Sequence, residues 1–285
     1  KNMKINIPLD VPQNKKSVYK KNFIESTKGT GKLFLFAGDQ KIEHLNDDFS
    51  KKLNYGNENP EHLFKIASNS KIGIFAAHLG LISRYGEKYK KIPYLAKLNG
   101  KSNLVKTQDP LSTALWTIED VLSFKKSSKL KILGIGYTIY LGSEQENTML
   151  KEAAQLIKGA HENGLLAVLW IYPRGKNVKD EKDPEIIAGA AGLGLCLGAD
   201  FIKLTYPFDS SAEGAQKAKE IITAAGNSGV IFSGGKKIDE NNFLETIKNQ
   251  LEISGARGCA IGRNMHQNSL EEAIKLGNQI SKLIK

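Results

Sequence analysis

A lysine set in an otherwise apolar, strand-like segment, Ala199-Asp-Phe-Ile-Lys203-Leu-Thr, is the residue whose surroundings most directly imply chemistry. An unpaired buried ammonium is costly, so a lysine in such a place either finds a carboxylate or gives up its proton. A structural lysine paired to Asp39 or Glu43 fits the pattern as well as a nucleophile does. A Schiff-base nucleophile needs a free amine near neutral pH, and burial or a second cation provides one by lowering the pKa from about 10.4. Lys97, in Tyr-Leu-Ala-Lys97-Leu-Asn, is the candidate second cation. Side chains alternate along a strand, so Val168, Trp170 and Tyr172 share one face, as do Phe201, Lys203 and Thr205. If both faces line one cavity, an amine, an indole and a phenol meet in it.

Two glycine-bearing segments have the character of anion sites: Ser233-Gly234-Gly235-Lys236, and Gly258-Cys-Ala-Ile-Gly262-Arg263-Asn264. Glycines let backbone N–H groups approach an anion closely, although a Gly-Gly pair also marks an ordinary turn. The histidines suggest less. His62 and His161 fall in helical stretches and are expected at the surface, and His266 follows Arg263 at a helix start. Only His44 and His78 lie at strand ends, without a close pair, so the clustered ligands of a metal-dependent enzyme are not expected.

The elements that must position these groups are legible as eight short apolar segments: Leu33 to Ala37, Ile72 to Ala76, Ile92 to Leu98, Ile132 to Ile139, Leu165 to Ile171, Asp200 to Leu204, Val230 to Ser233 and Ala256 to Ile261. Helix signals lie between them, such as Asn59 before Pro60 and Asp183 before Pro184. Alternating strands and helices imply parallel pairing through right-handed crossovers, and eight such units in one chain predict a closed (β/α)8 TIM barrel. An open doubly wound sheet is the rival, and it is disfavoured because no Gly-x-Gly-x-x-Gly turn follows the first strand. The stretch 80–91 leaves little room for a regular helix. Residues 1–31 precede the barrel as an extension that wraps its surface or lower mouth, and 32–285 form a single barrel domain. In this fold the working residues sit at the carboxyl ends of strands, which singles out Asp39, His44, His78, Lys97, Tyr137, Trp170, Tyr172, Lys203, Ser233 and Arg263.

Composition narrows the partners. The chain has 285 residues, 40% of them apolar, and a net charge of +11. The excess is scattered lysine without an arginine cluster or interleaved aromatics, so a solvated surface is expected rather than a nucleic-acid or membrane partner. The first thirty residues hold no apolar core of signal-peptide length, and no apolar run approaches the ~20 residues of a membrane span. Cys196 and Cys259 both lie in runs of small apolar residues, where packing is expected rather than a disulfide, in keeping with a cytoplasmic setting.

Six motifs in order, Ala37-Gly-Asp39-Gln-Lys-Ile-Glu-His44, Gly136-Tyr-Thr-Ile-Tyr-Leu-Gly-Ser143, Trp170-Ile-Tyr172-Pro-Arg-Gly175, Ala199-Asp-Phe-Ile-Lys203, Ser233-Gly-Gly235 and Gly262-Arg-Asn264, carry a resemblance that spans roughly Leu33 to Gln267. The chain resembles the archaeal-type class I fructose-bisphosphate aldolases, a family that also includes 2-amino-3,7-dideoxy-D-threo-hept-6-ulosonate synthase and related acyl-transferring enzymes. The resemblance implies that Lys203 is the Schiff-base lysine, Tyr172 the proton-shuttling tyrosine and Asp39 the catalytic aspartate. His44 and Trp170 correspond to substrate-pocket residues, and Ser233, Gly234, Gly235, Gly262 and Arg263 to a phosphate cradle. It further implies a homo-oligomeric, cytoplasmic aldehyde-lyase of glycolysis and gluconeogenesis that needs no metal or other cofactor. Its reaction would be the reversible cleavage of fructose 1,6-bisphosphate to dihydroxyacetone phosphate and glyceraldehyde 3-phosphate. A sister synthase, transaldolase or acyltransferase on another phosphorylated keto sugar is the alternative, and a basic noncatalytic binding protein the last one. One departure stands out: the family usually shows His-Gly after the aspartate, where this chain has Gln40-Lys41.

Overall fold

The computed structural model describes residues 5–285; the first four residues of the expected extension lie outside them. Eight parallel strands close a barrel in sequence order. They are β1 Leu33–Ala37, β2 Ile74–His78, β3 Tyr94–Lys97, β4 Ile132–Leu141, β5 Leu166–Pro173, β6 Phe201–Thr205, β7 Gly229–Ser233 and β8 Gly258–Ile261. Twelve α-helices are described, and α1 Lys16–Ser26 comes before the first strand. The chain is therefore a (β/α)8 barrel. The strands are buried on both faces, in keeping with their nearly continuous apolar content in a sheet wrapped in helices.

Alternation sorts the apolar residues into two layers. Leu33, Leu35, Ile74, Ala76, Leu95, Val168, Trp170, Phe201, Ile231 and Ala260 fill the barrel interior. The intervening residues pack outward against the helices. The helix starts follow local chemistry. Asp183 caps α7 (Pro184–Cys196) with Pro184 at its first position, and Ser269 and Glu272 form a capping box on α12 (Leu270–Leu283). The short stretch after β2 does hold a helix, α4 (Leu79–Tyr85), because seven residues suffice for two turns.

Helix α1 lies against the lower mouth. Val11, Tyr19 and Phe23 join the interior cluster, and the Phe23 ring stacks on Phe201 with centroids 5.9 Å apart.

Three expectations are corrected. His62 and His161 are buried, not superficial, at 7% and 0% exposure. His62 is covered because α3 (Glu61–Asn69) packs on α12 and on α11 (Arg263–His266), and His161 because the end of α6 (Glu146–Glu162) tucks under the barrel between Asp10 and Asp200. Tyr137 is directed away from the mouth: its hydroxyl donates to Glu152 on α6 at 2.6 Å. Cys259 is packed inside, whereas Cys196, near the end of α7, is exposed. Among the described residues no helix is long and apolar enough to cross a membrane.

Candidate active site

At the carboxyl ends of β3, β5 and β6 two lysines face one indole. Lys97 and Lys203 are 3% and 4% exposed, and their Nζ atoms lie 5.3 and 5.1 Å from the Trp170 ring centroid. Register explains part of this arrangement, because Trp170 and Lys203 are partners across β5 and β6. Gly136 on β4 explains more: a Cβ there would lie 2.4 Å from the indole and 2.7 Å from Leu95, so only glycine leaves room for the ring.

The lysines differ in their partners. Lys97 is 3.6 Å from Asp39 Oδ2 and donates to the Asn99 carbonyl at 3.2 Å. Lys203 has no carboxylate within ion-pair distance among the described residues, so it is not the partner of Asp39 that a structural role would require. Burial lowers the Lys203 pKa to about 8; the carboxylate of Asp39 opposes this, while Lys97 and Arg263 add to it. Burial also lowers Lys97, against the pull of Asp39 and Glu43. For Asp39, burial favours the neutral acid, but Lys97, then Lys203 and His78, hold it below the usual carboxylate range. Its Oδ1 is buried without a partner among the described residues, as is Trp170 Nε1.

Tyr172 stands two residues beyond Trp170 on the same face. Burial, then the charges of Asp39 and Glu43, push its phenol upward, so it remains protonated at neutral pH. The neighbouring Tyr140, its partner across β4 and β5, is already engaged, donating to Glu43 Oε1 at 2.7 Å. Arg174 lies 3.6 Å from Glu43 and 3.1 Å from Glu181, and its guanidinium is over the Tyr140 ring. His78 is held neutral, with a pKa of about 4, by burial and by Lys97, and its Nε2 lies 2.9 Å from the Asn99 carbonyl.

The glycine segments meet at the ends of β7 and β8. The Gly234 amide donates to the Ala260 carbonyl at 3.0 Å and is therefore occupied. Gly235 turns with φ +66°, a conformation that favours glycine. Asn264 clamps the loop, donating to the carbonyls of Gly234 and Lys236 at 2.9 and 3.1 Å and accepting from the Ile238 amide at 3.1 Å. Arg263 opens α11, with Asp48 Oδ2 3.9 Å from its Nε. His44 is bonded to that same carboxylate rather than to any member of the lysine pair.

The structure thus brings Asp39, Lys97, Trp170, Tyr172 and Lys203 together and sets Ser233, Gly234, Gly235, Gly262 and Arg263 along one rim. Tyr140, Asp48 and Asn99 escaped the sequence reading. Tyr140 was hidden because β4 runs two residues past its expected end at Ile139, although its parity with Gly136 is a usable signal. A cavity of about 170 Å³ at the opposite face, lined by Tyr19, Phe23, Asp200 and Arg257, contains none of these groups. Among the described residues no three His, Cys, Asp or Glu side chains are grouped as metal ligands.

Residues 33–268 match the family described as DeoC/LacD family aldolase. A Methanocaldococcus jannaschii protein named fructose-bisphosphate aldolase/6-deoxy-5-ketofructose 1-phosphate synthase is 56% identical over 278 residues, 97% of this chain and 89% of the relative. Among solved structures, a fructose-bisphosphate aldolase from Slackia heliotrinireducens superposes with a TM-score of 0.95 at 47% identity, covering 99% of this chain and 90% of that one. An archaeal fructose-1,6-bisphosphate aldolase, solved with its catalytic Lys covalently bound to the carbinolamine intermediate of the substrate, gives 0.81 at 31% identity over 93% and 99% of the two chains.

Proposed function

The chain belongs to the DeoC/LacD family of aldolases, and from that premise we propose that it cleaves fructose 1,6-bisphosphate reversibly through a Schiff base on Lys203. The observation that carries this reading is the difference between two buried lysines: Lys97 has a carboxylate partner, and Lys203 has none among the described residues and a pKa of about 8. A useful fraction of Lys203 is then the free amine near neutrality. The solved archaeal relative, with its lysine bound to a carbinolamine, supports the same chemistry.

In the proposed reaction the neutral amine adds to the C2 ketone to give a carbinolamine. Loss of water, assisted by Asp39, yields the iminium. Tyr172, which hands its phenol proton to the departing C2 hydroxyl as that water is lost, is left as the phenolate that takes the proton of the C4 hydroxyl. The C3–C4 bond then breaks, its electrons passing to the iminium nitrogen as the enamine forms, and glyceraldehyde 3-phosphate leaves. Protonation at C3 and hydrolysis release dihydroxyacetone phosphate and restore Lys203. Arg263 and the backbone of the β7 and β8 loops would hold a phosphate through charge-assisted hydrogen bonds.

A second reading rests on the relative's second name. Disconnecting 6-deoxy-5-ketofructose 1-phosphate at C3–C4 gives the same ketone phosphate and an uncharged oxo-aldehyde. Arg174, just past the end of β5 and already faced by Glu43 and Glu181, suits such an acceptor because little of its charge remains unbalanced.

Borohydride reduction with dihydroxyacetone phosphate, followed by peptide mass spectrometry, tests the proposal. Irreversible attachment of the triose at Lys203 is expected. A label at Lys97, or activity abolished by EDTA with no label anywhere, would overturn it. Supplying methylglyoxal in place of glyceraldehyde 3-phosphate tests the second reading by whether a six-carbon product accumulates.

A further inference from the structure

Gln40 follows Asp39 and opens the short helix α2 (Gln40–His44). Its carboxamide lies directly on Gly262: a Cβ at that glycine would fall 2.0 Å from Gln40 Nε2 and 3.0 Å from its Cδ. Glycine is thus required at 262 for the glutamine to reach the place it occupies, between the end of β1 and the first residue of the rim that carries Arg263. Gln40 Oε1 is nevertheless buried with no hydrogen-bond partner among the described residues. Asp39 Oδ1, on the adjoining residue, is in the same condition. Buried acceptors are nearly always satisfied, and two orphans side by side at the mouth of a barrel point to donors that arrive with a ligand.

We propose that Gln40 is a specificity-determining residue whose Oε1 accepts a hydrogen bond from the C3 hydroxyl of the bound ketone phosphate. This rests on the aldolase reading above and adds a division of labour to it. Asp39, paired through Oδ2 with Lys97, serves the oxygen at C2, where water is lost. Gln40, whose Nε2 packs on Gly262 while its Oε1 is an acceptor without a donor among the described residues, serves the one hydroxyl of the three-carbon ketone, the group of that ligand able to donate. A neutral carboxamide suits that position, since a carboxylate there would repel the phosphate. A site built to hydrogen-bond a hydroxyl discriminates against the analogue that lacks it, because the buried acceptor is then left unpaired.

The test compares dihydroxyacetone phosphate with hydroxyacetone phosphate, its analogue without the C3 hydroxyl, in borohydride trapping over a concentration series. The purified full chain should trap the first at about tenfold lower concentration than the second, a factor equivalent to about 1.4 kcal/mol. Gln40→Met keeps the length and the packing on Gly262, and should remove that preference by weakening dihydroxyacetone phosphate alone. Gln40→Glu keeps an acceptor of the same reach; it should weaken both ligands through its charge yet preserve their ratio. A wild-type protein that does not distinguish the two ligands, or a Met variant that loses both equally or neither, overturns the proposal while leaving the Schiff base intact. Absence of any label at Lys203 with either ligand is a separate failure, that of the aldolase reading itself. Melting curves of both variants separate these outcomes from unfolding.

Discussion

Lys203 and Lys97 are both buried lysines on the barrel wall, and what separates them is one carboxylate. If Lys97→Met is made, the cation that helps to lower the Lys203 pKa disappears, and the attraction that Asp39 already exerts on the Lys203 ammonium is no longer shared with an ion-pair partner. Both changes favour the charged form. The acid limb of Schiff-base formation, read as borohydride trapping against pH, should therefore move up from about 8 by on the order of one unit. A limb that stays in place or moves down would show that the lysines do not sense one another. Tyr172 makes a different prediction. Its hydroxyl can be removed while the ring stays, and a positioned acid or base contributes ~10²–10⁴ in rate. Tyr172→Phe should retain its melting temperature and lose turnover by that factor, about 3–5 kcal/mol of transition-state stabilisation. A loss under tenfold with an unchanged melting curve would leave Tyr172 a packing residue. These residues were legible because strand parity and motif agree on them. Asp48 was not, since nothing local indicates that Arg263, more than two hundred positions later, will lie 3.9 Å from it.

The strands were legible to within a few residues because their apolar runs are short and bounded, whereas the loops that join them were not. Asn99 shows why. Just past β3, its side chain accepts from the Thr138 amide at 2.8 Å and donates to the carbonyls of Ser112 and Thr138, both at 2.8 Å. Its own carbonyl accepts from Lys97 and lies 2.9 Å from His78 Nε2. One fully buried side chain thus ties β3 to β4 and to the loop that crosses between them. No periodicity announces a residue of this kind, because its bonds run to backbone groups set by the closed barrel. Asn99→Ala would orphan the Thr138 amide and carbonyl in a buried site and leave the Ser112 carbonyl with only the Tyr137 hydroxyl, 3.1 Å away, at roughly 1–3 kcal/mol for each group that water cannot reach. A chain of this size loses about 2–4 °C per kcal/mol, so calorimetry should show melting lowered by several degrees at least. Trapping at Lys203 should slow as well, because the Lys97 ammonium loses its fixed carbonyl. Unchanged melting would mean that the loop is held by its other contacts.

At the scale of the whole molecule, the face opposite the chemistry is closed by a charged network. His161, at 0% exposure, places Nδ1 2.9 Å from Asp10 and Nε2 3.1 Å from Asp200. Asp200 also accepts from the Tyr19 hydroxyl and, at 2.7 Å, from the Ala167 amide. One imidazolium therefore joins the segment before the barrel to β6 and to the end of α6. Burial opposes its charge, but the bonds and charges of Asp200 and then Asp10 outweigh burial and raise its pKa from 6.5 to about 9. A group whose pKa is raised on folding binds its proton more tightly in the native state, so its contribution is present in full below about 6.5 and is lost as pH rises through 9. With Asp10 partly exposed and therefore screened, the contribution is on the order of 2 kcal/mol. His161→Gln cannot carry the charge. The stability difference between wild type and this variant, from urea unfolding at matched pH, should be constant below pH 6.5 and shrink by roughly that amount towards pH 9. Taking the difference cancels other groups that titrate in the same window, Lys203 among them. Parallel stability curves across the window would mean that His161 is neutral in the native protein and that α1 is held at the lower mouth by Phe23 packing and the hydrogen bonds of Tyr19 and Asn22, without help from an imidazolium.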